Sequence, residues 1–363
     1  MKKACHQLLL GCTLLTPLAH ATENQTLNIY NWSDYITDEA IEHFEARTGI
    51  KVNYDVYDSQ EMAETKVLLG DSGYDLVVAS GAFLQRQIQA GAFQPLDKSR
   101  LKNYANLDPK VLEIVASYDP ENQHAIPYMW GTTGIGYNVA QANRILGDTT
   151  PDSWKTLFEP EVISQFAECG VAIVDAPTEV SAALLKYLGK DPNSESREDL
   201  KQVEEKLRAI RPYVQYFDSS RYINDLANGE ICLALGWSGD VFTASLRAAE
   251  ADNGIQVDYV IPKEGAQGWA DTFNLVADSG NAEAAYAFLD YLMEPEVIAG
   301  ISDYIWYANA NQAATPLVNP EITGHPGIYP TAETHKNLFG DRDRSAKYKR
   351  MLTRMWTRIK TDK

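Results

Sequence analysis

The sequence has few basic residues, few cysteines and no long apolar run in its body. It contains 32 Lys and Arg against 50 Asp and Glu among 363 residues, which gives a net charge of −18. So acidic a chain would repel a phosphate backbone instead of releasing its counterions, which argues against nucleic-acid binding. No apolar run after residue 21 reaches the roughly 20 residues of a membrane-spanning helix. Hydrophobic residues make up 45% of the chain, so a buried core is expected.

Sequence motifs of common enzyme and metal sites are also missing. The chain has no GxxxxGK[ST] phosphate loop, no GxSxG nucleophile motif and no calcium-binding loop. The histidines after residue 21 lack the spacing of a metal site; they are His43, His124, His325 and His335. We therefore predict no catalytic residue, no metal and no cofactor. A secreted hydrolase with paired carboxylates remains an alternative, since a sequence does not give the separation of two acids in space.

The N-terminus has the pattern of an export signal. Two lysines precede the apolar residues 8–15, and residues 19–21 provide the small side chains that a signal peptidase recognises. We expect cleavage after Ala21, so that residues 1–21 form a signal peptide. Lipidation at Cys12 is the alternative, but it would leave two leucines after the cut.

Two cysteines, Cys169 and Cys232, remain in the exported chain. An oxidising compartment favours a single disulfide between them. Two buried free thiols are the alternative, because each cysteine borders or lies within an apolar predicted strand. A zinc site would require about four ligands, and no histidine lies near these cysteines in the sequence.

Short apolar runs alternate with longer amphipathic stretches, which predicts an α/β fold with largely parallel sheets. The length favours two lobes, since domains of roughly 100–200 residues are the norm. Two extended segments, 126–138 and 254–262, are predicted to cross between the lobes. The predicted strands are 27–30, 50–57, 74–79, 171–174 and 231–235. The predicted helices are 38–48, 61–69, 82–90, 180–188, 198–210, 222–228 and 282–293.

Tryptophan and aspartate occur together after predicted strands, where open α/β sheets bind their ligands. The three groups are residues 31–35, 236–240 and 269–271. Core packing would explain one such group, but three of them indicate a common cause. Ser80 and Glu179 also follow strands, although Ser80 could cap a helix and Glu179 could interact with a helix dipole.

A cationic amine accounts for this combination of side chains. Aromatic faces attract a desolvated ammonium, and carboxylates give it the charge-assisted hydrogen bonds that a buried charge requires. Asp34 and Asp271 lie in one predicted half of the protein, and Glu179 and Asp240 lie in the other. The sequence therefore predicts a ligand with positive charge at both ends and a methylene chain between them.

These residues resemble those of the periplasmic polyamine-binding proteins that deliver putrescine or spermidine to ABC importers. The resemblance covers nearly the whole chain after the signal and implies a type II two-lobed binding protein that closes by hinge motion. Each lobe would be a mainly parallel sheet flanked by helices, and the lobes would be joined by hinge strands. The implied lobes are 22–133 with 254–300, and 134–253 with 301–363. The segments that carry the resemblance are 27–35, 74–78, 127–130, 133–138, 222–229, 236–240 and 307–310.

The family's ligand pocket can be carried over position by position. In this resemblance the acids hold the ammonium groups and the aromatic rings enclose the carbon chain. Cys169 and Cys232 match positions that form a disulfide in the family. Where putrescine binders carry phenylalanine, this chain has Trp269, which favours spermidine over putrescine. The implied pocket residues are Trp32, Ser33, Asp34, Tyr35, Ser80, Glu179, Trp237, Asp240, Trp269, Asp271 and Tyr307.

The resemblance implies a periplasmic carrier that is not an enzyme. Its partners would be a polyamine and the permease of an ABC transporter in the inner membrane, and the protein is expected to act as a monomer. A polyamine sensor of the same fold is an alternative, since only its protein partner would differ.

Overall fold

A computed structural model describes residues 25–147 and 149–361. The predicted signal peptide and Cys12 lie outside the described residues. The structure contains both strands and helices along its whole length, in the alternation that the sequence predicts. Its strands are β1 (Thr26–Trp32), β2 (Lys51–Tyr57), β3 (Leu76–Ser80), β4 (Ala125–Asn138), β5 (Val171–Ile173), β6 (Tyr216–Phe217), β7 (Leu233–Trp237), β8 (Val257–Val260), β9 (Gly268–Leu275) and β10 (Ala308–Asn309).

The α-helices lie on the outside of the sheets and connect their strands. They are α1 (Asp38–Thr48), α2 (Gln60–Leu68), α3 (Gly81–Gln89), α4 (Pro109–Ala116), α5 (Val139–Leu146), α6 (Lys155–Phe158), α7 (Pro160–Ile163), α8 (Pro177–Tyr187), α9 (Arg197–Ile210), α10 (Arg221–Asn228), α11 (Ser238–Glu250), α12 (Ala282–Leu292), α13 (Pro295–Ile305), α14 (Pro320–Thr323), α15 (Ala332–His335) and α16 (Ala346–Thr361). Within residues 25–147 and 149–361, no helix has the length and apolarity that crossing a membrane would take.

Local signals set the limits of helix α1. The Thr37 side chain accepts a hydrogen bond from the backbone N–H of Ala40 and so caps the first turn. Gly49 ends the helix with φ of 76°, a left-handed conformation that glycine adopts without strain. The helix buries Ala40 and Phe44 against the first sheet, and its limits agree with the prediction of 38–48.

Two sheets share the long strand β4. The first has the order β2-β1-β3-β9-β4, and only β9 runs against its neighbours in that order. In the second, β7, β5 and β6 are parallel, and β4 runs against β7 and β8. Residues 125–132 of β4 pair within the first sheet and residues 133–138 within the second. Among the described strands, β9 and β10 run against the others in the first sheet, and β4 runs against the others in the second.

Two elements depart from the predicted lobe limits. Residues 254–300 are assigned to the first lobe from the sequence, but β8 pairs with the second half of β4. The chain therefore returns to the first sheet only after Val260. Residues 301–363 are assigned to the second lobe, but β10 pairs with Met129 and Trp130 in the first half of β4. Sequence reasoning missed both pairings because each connects strands that are far apart in the chain.

Three segments lie side by side between the sheets, and we call them the crossover ribbon: residues 131–133, 266–268 and 338–340. The backbone N–H of Thr133 donates to the carbonyl of Gln267 at 3.0 Å. Phe339 exchanges backbone hydrogen bonds with the middle segment, donating to Ala266 at 3.0 Å and accepting from Gly268 at 2.9 Å. The ribbon therefore ties together three passages of the chain between the two sheets.

The disulfide predicted between Cys169 and Cys232 is present in the structure. It links the segment that enters β5 to the residue just before β7, and the two Cα atoms are 5.5 Å apart. The two cysteines are 63 positions apart in the sequence, so the bond closes a long loop of the chain within the second sheet.

Reduction of this disulfide is expected to lower the free energy of unfolding by about 4 kcal/mol, because the unfolded chain regains the entropy of a long open loop. Urea unfolding with and without reductant would measure the change, and the double variant Cys169→Ala/Cys232→Ala should unfold like the reduced parent. Equal unfolding midpoints for the oxidised and reduced parent would contradict the prediction.

Candidate functional site

A cavity between the two sheets is lined by all the predicted pocket residues. Its volume is about 120 Å³, whereas one water requires roughly 10–15 Å³ on the same measure. The cavity can therefore hold a small organic molecule. The predicted residues that line it are Trp32, Ser33, Asp34, Tyr35, Ser80, Glu179, Trp237, Asp240, Trp269, Asp271 and Tyr307.

Strand ends bring these side chains together. Trp32 ends β1, Ser80 ends β3 and Trp237 ends β7. Because β9 runs against β3, its first residues reach the same edge, and Asp271 pairs in register with Ser80. Side chains alternate along a strand, so Trp269 and Asp271 share one face of β9.

Asp271 is a buried carboxylate that accepts a hydrogen bond from a tyrosine hydroxyl. Only 4% of its surface is exposed, and Tyr35 Oη donates to its Oδ2 at 2.9 Å. The carbonyl of Tyr35 in turn accepts from Tyr128 Oη at 2.6 Å, which fixes the loop after β1. Burial raises the pKa of Asp271 to about 6, against the lowering effect of hydrogen bonds from Tyr35 and Ser80.

Asp240 occupies the first turn of α11 and receives two phenol hydrogen bonds. Tyr307 Oη donates to Oδ1 at 2.8 Å and Tyr222 Oη donates to Oδ2 at 2.9 Å. Burial raises the pKa of Asp240 to about 6, although both hydrogen bonds lower it. Tyr222 also accepts from the backbone N–H of Trp237 at 3.0 Å, so the same hydroxyl fixes the end of β7.

Glu179 lies in the first turn of α8 and is held by donors from two other elements. Thr133 Oγ1 donates to its Oε2 at 2.6 Å, and Trp237 Nε1 donates to the same atom at 2.9 Å. Burial raises the pKa of Glu179 to about 7, and the nearby acids Asp341 and Glu61 add to the rise. Glu179 lines the cavity, and no described residue donates a hydrogen bond to its Oε1.

Aromatic rings from both sheets surround the space between these acids. Trp32 and Trp237 are 5.7 Å apart between ring centroids. Tyr307 contacts Trp269 at 5.5 Å and Tyr35 at 5.3 Å. The site is thus an aromatic enclosure with a carboxylate on the first sheet and two on elements of the second, which is the arrangement that a desolvated cation requires.

Asp34 differs from the other predicted acids. Its side chain is 61% exposed, and Oδ2 lies 3.6 Å from Arg247 Nη2 on α11. The backbone at Asp34 has φ of 53°, a left-handed conformation that aspartate tolerates. This residue lines the cavity, but its charge is shared with an arginine that follows Asp240 by two helical turns.

Sequence reasoning missed several residues of the site. Tyr222 orients Asp240, Thr133 orients Glu179, and Arg247 pairs with Asp34. The sequence around each acid does not indicate such a partner, because the partner is uncharged or far away in the chain. Other acids line the cavity without a neighbouring tryptophan, and two of them form ion pairs: Asp341 with Arg344, and Asp175 with Lys360 of α16. Trp356 of α16 also donates a hydrogen bond to Asp175. The additional acids are Asp58, Glu61, Asp175 and Asp341.

The chain matches the family described as bacterial extracellular solute-binding protein over residues 39–330. It belongs to this family. Among similar solute-binding proteins, a putrescine-binding periplasmic protein of Escherichia coli is 52% identical over 94% of this chain and 93% of its own length. A putrescine-binding periplasmic protein of Pseudomonas aeruginosa is 49% identical over the full length of both chains.

A solved structure supports the same assignment for this solute-binding protein. A putative spermidine/putrescine ABC transporter protein from Listeria monocytogenes has a TM-score of 0.83 and 30% identity, covering 93% of this chain and 99% of its own. The predicted type II fold, with two lobes joined by hinge strands, is thereby confirmed. The family resemblance of the sequence is confirmed as well.

Proposed function

We propose that this solute-binding protein captures a polyamine in the periplasm and delivers it to the permease of an ABC transporter. The observation that carries the proposal is the set of three carboxylates, Asp271, Asp240 and Glu179, held by hydrogen bonds around an aromatic enclosure. The relatives that bind putrescine, with about half of their residues identical, support it.

The chemistry of the enclosure favours a ligand with several positive charges. Each of the three acids has a pKa raised by its burial, and a buried ammonium would favour its ionised form. Each carboxylate oxygen can accept more than one hydrogen bond, so lone pairs remain for ligand N–H groups beside those used by the protein donors. The aromatic rings cover the methylenes between the ammonium groups.

We further propose that the two sheets are the cores of two lobes that close on the ligand. In this proposal the first lobe comprises residues 25–132 and 268 to about 300, and the second comprises residues 133–260 and α16. Contacts between the lobes, such as Trp32 with Trp237, would form on closure. We expect a monomer that binds without chemical change, so a polyamine recovered after incubation should be unaltered.

Selectivity among polyamines is expected to depend on Trp269. An indole covers more of a methylene chain than a phenyl ring, so we propose that it favours spermidine over putrescine. Calorimetric titration with putrescine, spermidine, cadaverine and agmatine would test both the proposed function and its selectivity. In Trp269→Phe the spermidine-to-putrescine affinity ratio should fall by roughly three- to tenfold.

The four titrations test the proposed function and the selectivity assigned to Trp269 separately. If the parent binds none of the four amines, the proposed function is refuted. If it binds them and Trp269→Phe shifts spermidine and putrescine affinities by the same factor, then Trp269 packs in the site without selecting its ligand.

A further inference from the structure

Gln267 is a neutral side chain of the cavity that neither the sequence nor the family resemblance assigned to the pocket. It lies in the crossover ribbon directly before β9, and only 6% of its surface is exposed. Its side chain lines the cavity, and its buried Oε1 has no hydrogen-bond donor among the described residues. Because side chains alternate along an extended chain, Gln267 shares the cavity face with Trp269 and Asp271.

Thr133 connects Gln267 to Glu179 through two hydrogen bonds. The carbonyl of Gln267 accepts from Thr133 N, and the hydroxyl of the same threonine donates to Glu179 Oε2 at 2.6 Å. Glu179 Oε1 receives no donor from a described residue. Both residues line the cavity, and each has an oxygen without a protein donor among the described residues: the amide Oε1 of Gln267 and the carboxylate Oε1 of Glu179.

Asp271 stands at the other end of the same face. Gln267 and Asp271 are four residues apart, so their Cα atoms are separated by roughly 13 Å along extended chain. Trp269 lies between them. The face thus presents an amide, an indole and a carboxylate in order, which matches a cation at each end of an apolar chain.

We propose that Gln267 binds the ligand directly and that its Oε1 accepts an N–H from the ammonium held by Glu179. A primary ammonium has three N–H groups, and Glu179 Oε1 alone leaves the others without a protein partner once the ligand has lost its water. The amide provides a second acceptor without a second charge at this position. The inference rests on the proposed function, since it names a further residue for the same ligand.

Calorimetric titration of putrescine into the parent, Gln267→Leu and Gln267→Glu would test the assignment. Leucine keeps the volume and removes the acceptor, so affinity should fall roughly ten- to hundredfold, as for a hydrogen bond to a charged group. Glutamate keeps a carbonyl oxygen at the same place, so it should bind within about threefold of the parent or more tightly. Gln141→Leu, on α5 outside the cavity, is the matched control and should bind as the parent does.

A double-mutant cycle with Glu179→Gln distinguishes direct binding from packing in the ribbon. If both side chains hold one ammonium, the loss caused by Gln267→Leu in the parent should differ from the loss it causes when combined with Glu179→Gln. Additive losses in the cycle, unchanged affinity in Gln267→Leu, or an equal loss in Gln267→Glu would each overturn the proposal. Failure of the parent to bind any polyamine would instead refute the proposed function.

Discussion

Asp271→Asn is expected to weaken putrescine binding by about 2–5 kcal/mol, because it removes a buried carboxylate while leaving its shape. That is a loss of roughly thirtyfold to several thousandfold in affinity. Tyr35 would still hold the side chain in place through its hydroxyl, so the variant isolates the charge. Calorimetry on parent and variant at the same pH would measure the difference.

Two control measurements show whether the loss of affinity is specific to the Asp271 carboxylate. Asp252→Asn removes the same charge from an exposed position and should leave the affinity unchanged; equal losses in both variants would assign binding to the overall negative charge. Ligand-free Asp271→Asn should unfold at a higher temperature than the parent at pH 8. The reason is that a carboxyl whose pKa is raised by burial destabilises the folded protein wherever it is ionised. Parental affinity in Asp271→Asn would contradict the proposed site.

Lowering the pH from 8 to 5.5 is expected to weaken polyamine binding by a factor of roughly several hundred. Burial raises the pKa of Glu179 to about 7 and those of Asp240 and Asp271 to about 6. These carboxyls take up protons across that range in the ligand-free protein, whereas amines with a pKa near 10 stay charged. Binding must then release protons, so affinity decreases as the pH falls.

The proton release can be measured as well as the affinity. Near pH 6.5, the apparent binding enthalpy should change with the ionisation enthalpy of the buffer. Glu179→Gln should bind polyamine more weakly than the parent at every pH. Its affinity should also lack the part of the pH dependence that lies between about pH 6 and 7.5. An affinity that is constant from pH 8 to 5.5, or that rises on acidification, would show that the three acids do not meet the ligand as carboxylates.

Local elements of this fold could be predicted because their signals are local. Thr37 and Gly49 cap α1 within the helix's own sequence, and the prediction of 38–48 agrees with the structure. The predicted pocket residues all reach one cavity, because strand ends of a twisted sheet meet at one edge. The pairing of β8 and β10 with β4 could not be predicted, since the residues of these short strands do not indicate which strand they pair with.

The sequence does not show which residues position the predicted acids, which neutral side chains line the site, or which partners the acids have. Tyr222 is recognisable as a buried aromatic of α10, but nothing in the sequence shows that its hydroxyl reaches Asp240 from 18 positions away. Gln267 is uncharged and lies directly before β9, so only its burial without a donor distinguishes it. Asp34 has the right type and position, yet Arg247 shares its charge from across the cavity.

The contact between Trp32 and Trp237 gives the protein an intrinsic fluorescence signal that reports movement of the two sheets. The two indoles end strands of different sheets, and their rings lie 5.7 Å apart at an angle of 57°. Any movement that separates the sheets at the cavity exchanges this indole contact for water, and ultraviolet emission from tryptophan depends on that exchange. Closure of the unlabelled protein can therefore be followed in real time, with Trp32→Phe or Trp237→Phe identifying which ring reports it.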